Sequence, residues 1–390
     1  MSPGEVARTA KLLGLSEAEV RLKPVQMILL IQSEHASQIE RHFKALHTAI
    51  KYFGLWYGPY PYKTITVVDP PYGGHEAGGM EYPTLITAGT AWIAAPGEQT
   101  PEGVIVHEYG HQYWYGLVGN NEFEESWLDE GFNTYSTDKI LDLAYGPQHW
   151  PIRLLGVPLG AFFGTPRFLH DSANRGGYLL DPKADAMLRN SWEYYDHVSY
   201  GLNSYLRPGI TLRTLENYLG APVMARIMRA YHQRWRYRHP TSLDFLAVVN
   251  EISGRDMKWF FDQFVFGSNV LDYGVSEVRS KKAGARNYES VVRIRREGEA
   301  VFPVEVRIRF KDGKVEERQW DGRYRWTEFK FTRPAAIESV EIDPGRKILL
   351  DADFANNSRT ETLQAKPLMK WTENLVFWAE QILLAIAGVS

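Results

Sequence analysis

Hydrophobic and polar positions along this chain of 390 residues keep a helical spacing through most of the first 266 and an alternating one after it. Val25 to Ile31 is a short apolar run that predicts a strand, and Ala36 to Phe53 carries its apolar residues on one face of a predicted amphipathic helix. Thr100, Pro101 and Glu102 read as an N-cap, a first-turn proline and a first-turn acid, so a helix is expected to continue through Val104, Ile105 and Val106. A second start signal, Ser126 with Asp129 three residues on, places Glu130 near the beginning of the next helix. The helical pattern returns at Ile210 to Tyr218 and stops at Leu219-Gly220.

From Asn269 the texture changes. Val304, Val306, Ile308 and Phe310 alternate with Glu305, Arg307 and Arg309, and Asp312-Gly313 predicts a hairpin turn into Val315. With Val291 to Arg295, Ile337 to Ile342 and Ile348 to Asp351, these form the strands of an expected small antiparallel β-sandwich over 270–355. The chain thus reads as α+β: a remnant or linker over 1–24, a mixed but mostly helical domain over 25–266, the sandwich, and a final amphipathic or membrane-associated helix over 366–390. That last segment is rich in Leu, Ile, Phe and Trp, but it is short, and Glu373 and Glu380 make it too acidic for a typical membrane span. A helix docked on the body and an interfacial anchor both remain open.

Composition narrows the function. With 44% hydrophobic and 23% charged residues the chain is an ordinary soluble globular protein, and a net charge of −3 argues against a nucleic-acid partner held by phosphate contacts. Arg226, Arg229, Arg234, Arg236 and Arg238 interleave with Tyr231, Trp235 and Tyr237, a pattern that also fits a single-strand stacking surface. An amphipathic helix with a solvated basic face explains it more simply. No cysteine is present, which excludes disulfides and thiolate metal ligands. The N-terminus has no apolar signal region, so the sequence as given reads as cytoplasmic.

The chemistry is concentrated in His107-Glu108-Tyr109-Gly110-His111, an H-E-x-x-H box, and in Glu130 further on, within Trp127-Leu128-Asp129-Glu130-Gly131-Phe132. Residues four apart on a helix project from the same face, so the two imidazoles can grip one metal ion with Glu108 beside it. A catalytic zinc site uses three nitrogen or oxygen ligands and leaves a fourth position for water, and Glu130 supplies the third. Glu108 then has the place of a general base.

These segments resemble the gluzincin zinc aminopeptidases, the family of membrane alanyl aminopeptidase and leukotriene hydrolase. That family carries a G-x-M-E-N exopeptidase motif upstream of the metal box, and this chain has Gly78-Gly79-Met80-Glu81-Tyr82, departing at Tyr82. The resemblance implies that Glu81 binds the free α-amine of a peptide substrate while Gly78, Gly79 and Met80 let its backbone approach. It also implies a catalytic tyrosine that hydrogen-bonds the oxyanion. Tyr205, in Ser204-Tyr205-Leu206-Arg207-Pro208 ahead of the helix from Ile210, is the preferred counterpart, with Tyr200 as its competitor.

The family implies a thermolysin-like catalytic domain, one Zn2+ held by His107, His111 and Glu130, and hydrolysis of N-terminal peptide bonds. It also implies a β-domain before the catalytic part and a helical roof after it. Neither has room here, so the chain reads as a fragment or a shortened product, exported or membrane-associated if it is truncated. Two other functions compete: an endopeptidase with an open cleft, and an inactive peptide-binding module of the same fold.

Overall fold

The computed structural model describes residues 2–71, 73–74, 77–90, 97–149, 153–154, 157–158, 167–362, 369, 372–373, 375–377 and 379–380. The chain divides into two compact units, Met1–Val270 with Lys347–Leu350, and Leu271–Arg346 with Asp351–Ser390. The fold is α+β, a mostly helical part and a β-rich part.

The first unit begins with a helix where the sequence read as a linker. α1 (Pro3–Leu13) is closed by a Ser2/Glu5 capping box and by Gly14 in the left-handed conformation, and its apolar face is buried through Val6, Ala10 and Leu13. Then come β1 (Gln26–Leu30), α2 (Ile39–Tyr57), β2 (Thr64–Val68), β3 (Gly79–Met80) and β4 (Leu85–Ala88). They form one sheet in the order β1-β2-β4-β3, parallel except for β3, which pairs antiparallel through Gly79↔Ala88 and Met80↔Thr87 and so forms the edge. The helix predicted over 36–53 starts later and runs on to Tyr57, because Ser33–Gln38 is wound as a 3₁₀ turn ahead of it.

α3 (Thr100–Gly110) carries the H-E-x-x-H box. Its N-cap is Gln99 rather than Thr100, so Thr100 and Pro101 lie inside the first turn. The short α4 (Glu122–Glu125) and a 3₁₀ turn at Ser126–Leu128 lead into α5 (Glu130–Ala144), which begins at the expected third ligand. Ser126 does not cap it. Its hydroxyl is instead 2.6 Å from that of Ser204, deep in the core. α2, α3 and α5 close on one another through buried aromatic rings: Phe53 meets Tyr109 at 5.9 Å, Tyr57 meets Trp114 at 4.7 Å, and Trp114 meets Phe132 at 5.4 Å. Such edge contacts each add about 0.5–1.5 kcal/mol beyond the area they bury. A polar tie fixes the register, with Asn133 Nδ2 of α5 donating to the carbonyl of His107 at 2.6 Å.

After α6 (His170–Tyr178), the chain forms a continuous helical stretch from α7 (His197–Gly201) through a π turn at Leu202–Leu206 into α8 (Arg207–Leu219). Pro208 has no N–H to offer Ser204, four residues back, and the bond at Arg207 goes five residues back to Leu202. Tyr205 therefore sits within the helix, not ahead of it as the sequence suggested. α9 (Ala221–Trp235), α10 (Ser242–Ser253) and α11 (Lys258–Phe264) complete the unit. The arginine-rich segment is thus helical through Trp235, with Tyr231 buried.

The second unit is a β-sandwich of β5 (Tyr273–Ala283), β6 (Asn287–Arg296), β7 (Val304–Phe310), β8 (Val315–Trp320), β9 (Trp326–Arg333), β10 (Ile337–Ile342) and β11 (Ser358–Thr360). One sheet has the order β9-β6-β5 and the other β8-β7-β10-β11, with every pairing antiparallel. The alternation seen in the sequence becomes burial, with Val304, Val306, Ile308 and Phe310 inside. Ile348–Asp351 is not a strand. Lys347–Leu350 belongs to the first unit, where the Leu350 carbonyl accepts from Tyr178 Oη at 3.3 Å, and Asp351 makes an isolated bridge to Leu271. The helix expected over 366–390 falls mostly outside the described residues. Among those residues no helix is long and apolar enough to cross a membrane.

One close approach fixes where α5 can begin. A Cβ on Gly131, the second residue of α5, would lie 2.3 Å from Pro208 Cβ and 3.3 Å from the Ser204 carbonyl. Only glycine lets the start of α5 rest against the π turn. Gly131→Ala is therefore expected to destabilise the protein by about 1–3 kcal/mol through overpacking. The shift in the urea unfolding midpoint measures it.

Candidate metal and peptide site

His107 and His111 leave α3 on one side, and Glu130 leaves the first residue of α5 to meet them. His107 Nε2, His111 Nε2 and Glu130 Oε2 form a triangle with all three edges at 3.2 Å. A tetrahedral ion with bonds of about 2.0–2.1 Å spaces its ligands roughly 3.3 Å apart, so this donor set fits a metal ion. The side chains of His107 and Glu130 keep 19% and 13% of their surface exposed while His111 keeps 2%, so the triangle is open on the side away from His111.

The partners behind the triangle hold its members in place. His111 Nδ1 meets Asp129 Oδ1 at 2.6 Å, which turns Nε2 toward the triangle. Burial pushes Asp129 up to about 7, and His111 is also pushed well up, because Asp129 and Glu130 outweigh its own burial. Burial resists the charge on Glu130 too, but His111 and His107 outweigh it and hold that carboxyl low. Tyr205 Oη donates to the other oxygen of Glu130 at 2.5 Å, and its hydroxyl is pushed up by burial and by that carboxylate. Tyr200 packs beside it, its ring 6.4 Å from that of Tyr205, and burial and Glu130 push its hydroxyl up as well. Of the two tyrosines, Tyr205 is the one seen to hydrogen-bond a member of the triangle.

Glu108 stands beside the triangle, a carboxylate oxygen within 4.8 Å of a ring nitrogen of His111. It is buried, and burial pushes its carboxyl up against the opposing pull of His107 and His111. The glycine-rich edge strand passes over it: a Cβ on Gly79 would come within 2.6 Å of Glu108 Oε1. Gly78 is packed against Gly89, whose N–H donates to its carbonyl at 2.6 Å, and Met80 is exposed. Glu81, the next residue along, offers a carboxylate oxygen within 4.8 Å of both Glu108 and His111. His107, Glu108, His111, Glu130, Glu81 and Tyr205 are thus linked to one another by these distances.

Several of its members gave no signal on their own. Asp129 looked like part of a helix start and instead pairs with His111. Asn133, one turn into α5, holds the His107 carbonyl, and Gln112 reaches the turn after Glu81. Glu122 belongs to a second acidic group with Glu81 and Asp129, all within 4.8 Å, and burial and Glu81 push it up. Tyr115, beside Glu122, holds φ at +94°, which is rare for an aromatic residue and marks a strained loop. Only the adjacency of Asp129 to Glu130 could have been noticed beforehand.

The sequence profile of the Peptidase family M1 domain matches residues 38–264. Aminopeptidase M1-A of Oryza sativa subsp. japonica is 26% identical over 231 residues, covering 55% of this chain and 24% of that protein. The Tricorn protease-interacting factor F2 of Thermoplasma acidophilum is 23% identical over 304 residues, covering 75% and 36%. The chain therefore spans about a quarter to a third of the length of these relatives. Among solved structures, aminopeptidase A of Legionella pneumophila in complex with aspartic acid shares the fold, with a TM-score of 0.58 at 13% identity over 83% of this chain and 36% of that one.

Removing the carboxylate behind His111 tests the arrangement without touching a donor atom of the triangle. Asp129→Ala is expected to weaken Zn2+ affinity by about 10–100-fold, measured by competition with a chromogenic chelator.

Proposed function

The chain belongs to peptidase family M1, and on that footing we propose that it is a zinc-dependent aminopeptidase, releasing the N-terminal residue of a peptide with a free amine. The observation that carries this is the closeness of Glu81 to the reacting groups, within 4.8 Å of Glu108 and His111. In a peptide the α-nitrogen and the first carbonyl carbon are only about 2.5 Å apart, two bonds across one Cα. An anionic anchor that near the metal-binding atoms holds the first residue of a chain and leaves no length for a second.

His107, His111 and Glu130 would hold the zinc, which when bound supplies Lewis acidity and an acidified water at neutral pH. Glu108, its carboxyl pushed up by burial, accepts the proton of the attacking water and passes it to the departing amine. Glu81 takes a charge-assisted hydrogen bond from the substrate ammonium, which fixes the first residue relative to Glu108. The substrate backbone lies along β3, whose outer edge carries no strand among the described residues, and Gly79 lets it come close. Tyr205 exchanges its hydrogen bond to Glu130 for one to the developing oxyanion.

Acetylation of the substrate removes the charge that Glu81 recognises. The wild-type protein loaded with zinc is expected to cleave a free-amine aminoacyl anilide and to leave its N-acetyl counterpart intact, as read by anilide release. Equal rates on both would replace the aminopeptidase with an endopeptidase. Tyr205→Phe should retain zinc and lower kcat by about 10²–10³, the effect of one oxyanion donor. A variant that loses zinc affinity yet turns over normally when saturated would limit Tyr205 to orienting Glu130.

A further inference from the structure

Gln112 comes directly after the second histidine of the box, and its buried side chain spends both ends of its amide on one turn of another segment. Nε2 donates to the carbonyls of Tyr82 at 3.1 Å and of Glu81 at 3.4 Å, while Oε1 accepts from the N–H of Thr84 at 2.8 Å. These contacts bracket the tight turn Tyr82-Pro83-Thr84-Leu85, closed by the Leu85 N–H on the Tyr82 carbonyl at 3.1 Å. Pro83 suits the second position of such a turn, whose third position asks for positive φ and normally takes glycine. Thr84 sits there at +59°, a β-branched residue in a backbone state it disfavours. The turn needs an external hold, and Gln112 provides three hydrogen bonds of it.

What this hold governs is the position of Glu81. Upstream, Glu81 is tethered by a ladder of only two residue pairs, Gly79↔Ala88 and Met80↔Thr87. Downstream, the next backbone attachment of the segment is the one made by Gln112, which is covalently the neighbour of His111. We propose that Gln112 is a positioning residue that sets the distance between the Glu81 carboxylate and the metal-facing groups of α3, and so keeps cleavage at the first residue. This rests on the reading of Glu81 as the amine anchor. The anchor and the metal helix are remote in sequence, and a shift of about 1 Å between such groups can cost a factor of 10² in rate. Gln112 converts that separation into a contact between adjacent residues of one helix end.

The test compares Gln112→Leu, which removes all three hydrogen bonds, with Gln112→Glu, which keeps the acceptor for Thr84 and sets a carboxylate against two carbonyls. Both are loaded with zinc, checked for metal content and melting temperature, and assayed on a free-amine aminoacyl anilide and its N-acetyl form. The expected result is full zinc, a KM for the free-amine substrate raised about tenfold or more, and a preference for free over acetylated substrate reduced by the same factor. In a Glu81→Ala background Gln112→Leu should raise KM no further, because the two act through one interaction. Additive effects, or an unchanged preference in a zinc-loaded variant, overturn the inference while leaving the aminopeptidase reading intact. A wild type that ignores acetylation overturns that reading and the inference with it. Should Gln112→Leu fail to fold or to hold zinc, Gln112→Glu decides alone by the same measurements.

Discussion

Asp129 and Glu130 are neighbours in the chain, and their carboxylates address opposite nitrogens of a single imidazole. Asp129 meets Nδ1 of His111 at 2.6 Å and Glu130 lies 3.2 Å from its Nε2. Two consecutive side chains can embrace one ring only where the backbone turns, and it turns here because Asp129 is the N-cap and Glu130 the first residue of α5. The start of that helix must therefore lie at a fixed height against the end of α3. The packing of Gly131 on the π turn, the Asn133 bond to the His107 carbonyl and the aromatic contacts of Phe132 all constrain that one relation. Moving α5 by one residue would break the pairing of His111 and the triangle together.

The site is also crowded with negative charge. Glu81, Glu108, Glu122, Asp129 and Glu130 gather about two imidazoles, and burial raises Glu108, Glu122 and Asp129 while the imidazoles hold Glu130 down. Carboxylates so placed favour positive partners in two distinct forms. The triangle, with donors 3.2 Å apart, suits a small ion at bonding distance. The Glu81 group, whose atoms lie within 4.8 Å of one another, gathers carboxylates that suit an ammonium as hydrogen-bond donor.

How much of this was legible in the sequence differs by residue. The helical spacing of His107 and His111, the position of Glu130 at a helix start and the alternation over Val304 to Phe310 come from periods that the backbone imposes, so they could be read directly. Boundaries were less visible: Thr100 looks like a cap, but the observed cap is Gln99, and Ser126 spends its hydroxyl on Ser204, 78 residues away. Ile348 and Leu350 have the apolar character of a strand because they are buried, yet they are buried as part of the first unit. Gln112, Asn133 and Glu122 carry no pattern, since their partners are chosen by tertiary contact alone. The π turn was hidden for a different reason: a proline near a helix start is ordinary, and only the helix already running before it makes Pro208 exceptional.

That π turn ties function to foldability. A π turn amounts to one residue inserted into an α-helix, which rotates everything beyond it by about 100°. Restoring ideal geometry by deleting a residue would give a more regular helix, but Ile210, Leu212 and Leu215, all buried, would swing off the core as Tyr205 left Glu130. Attempts to stabilise this chain by idealising its secondary structure would therefore fail at this point in both stability and activity. The irregularity is shared property of the core and the site, and neither can be redesigned there without the other.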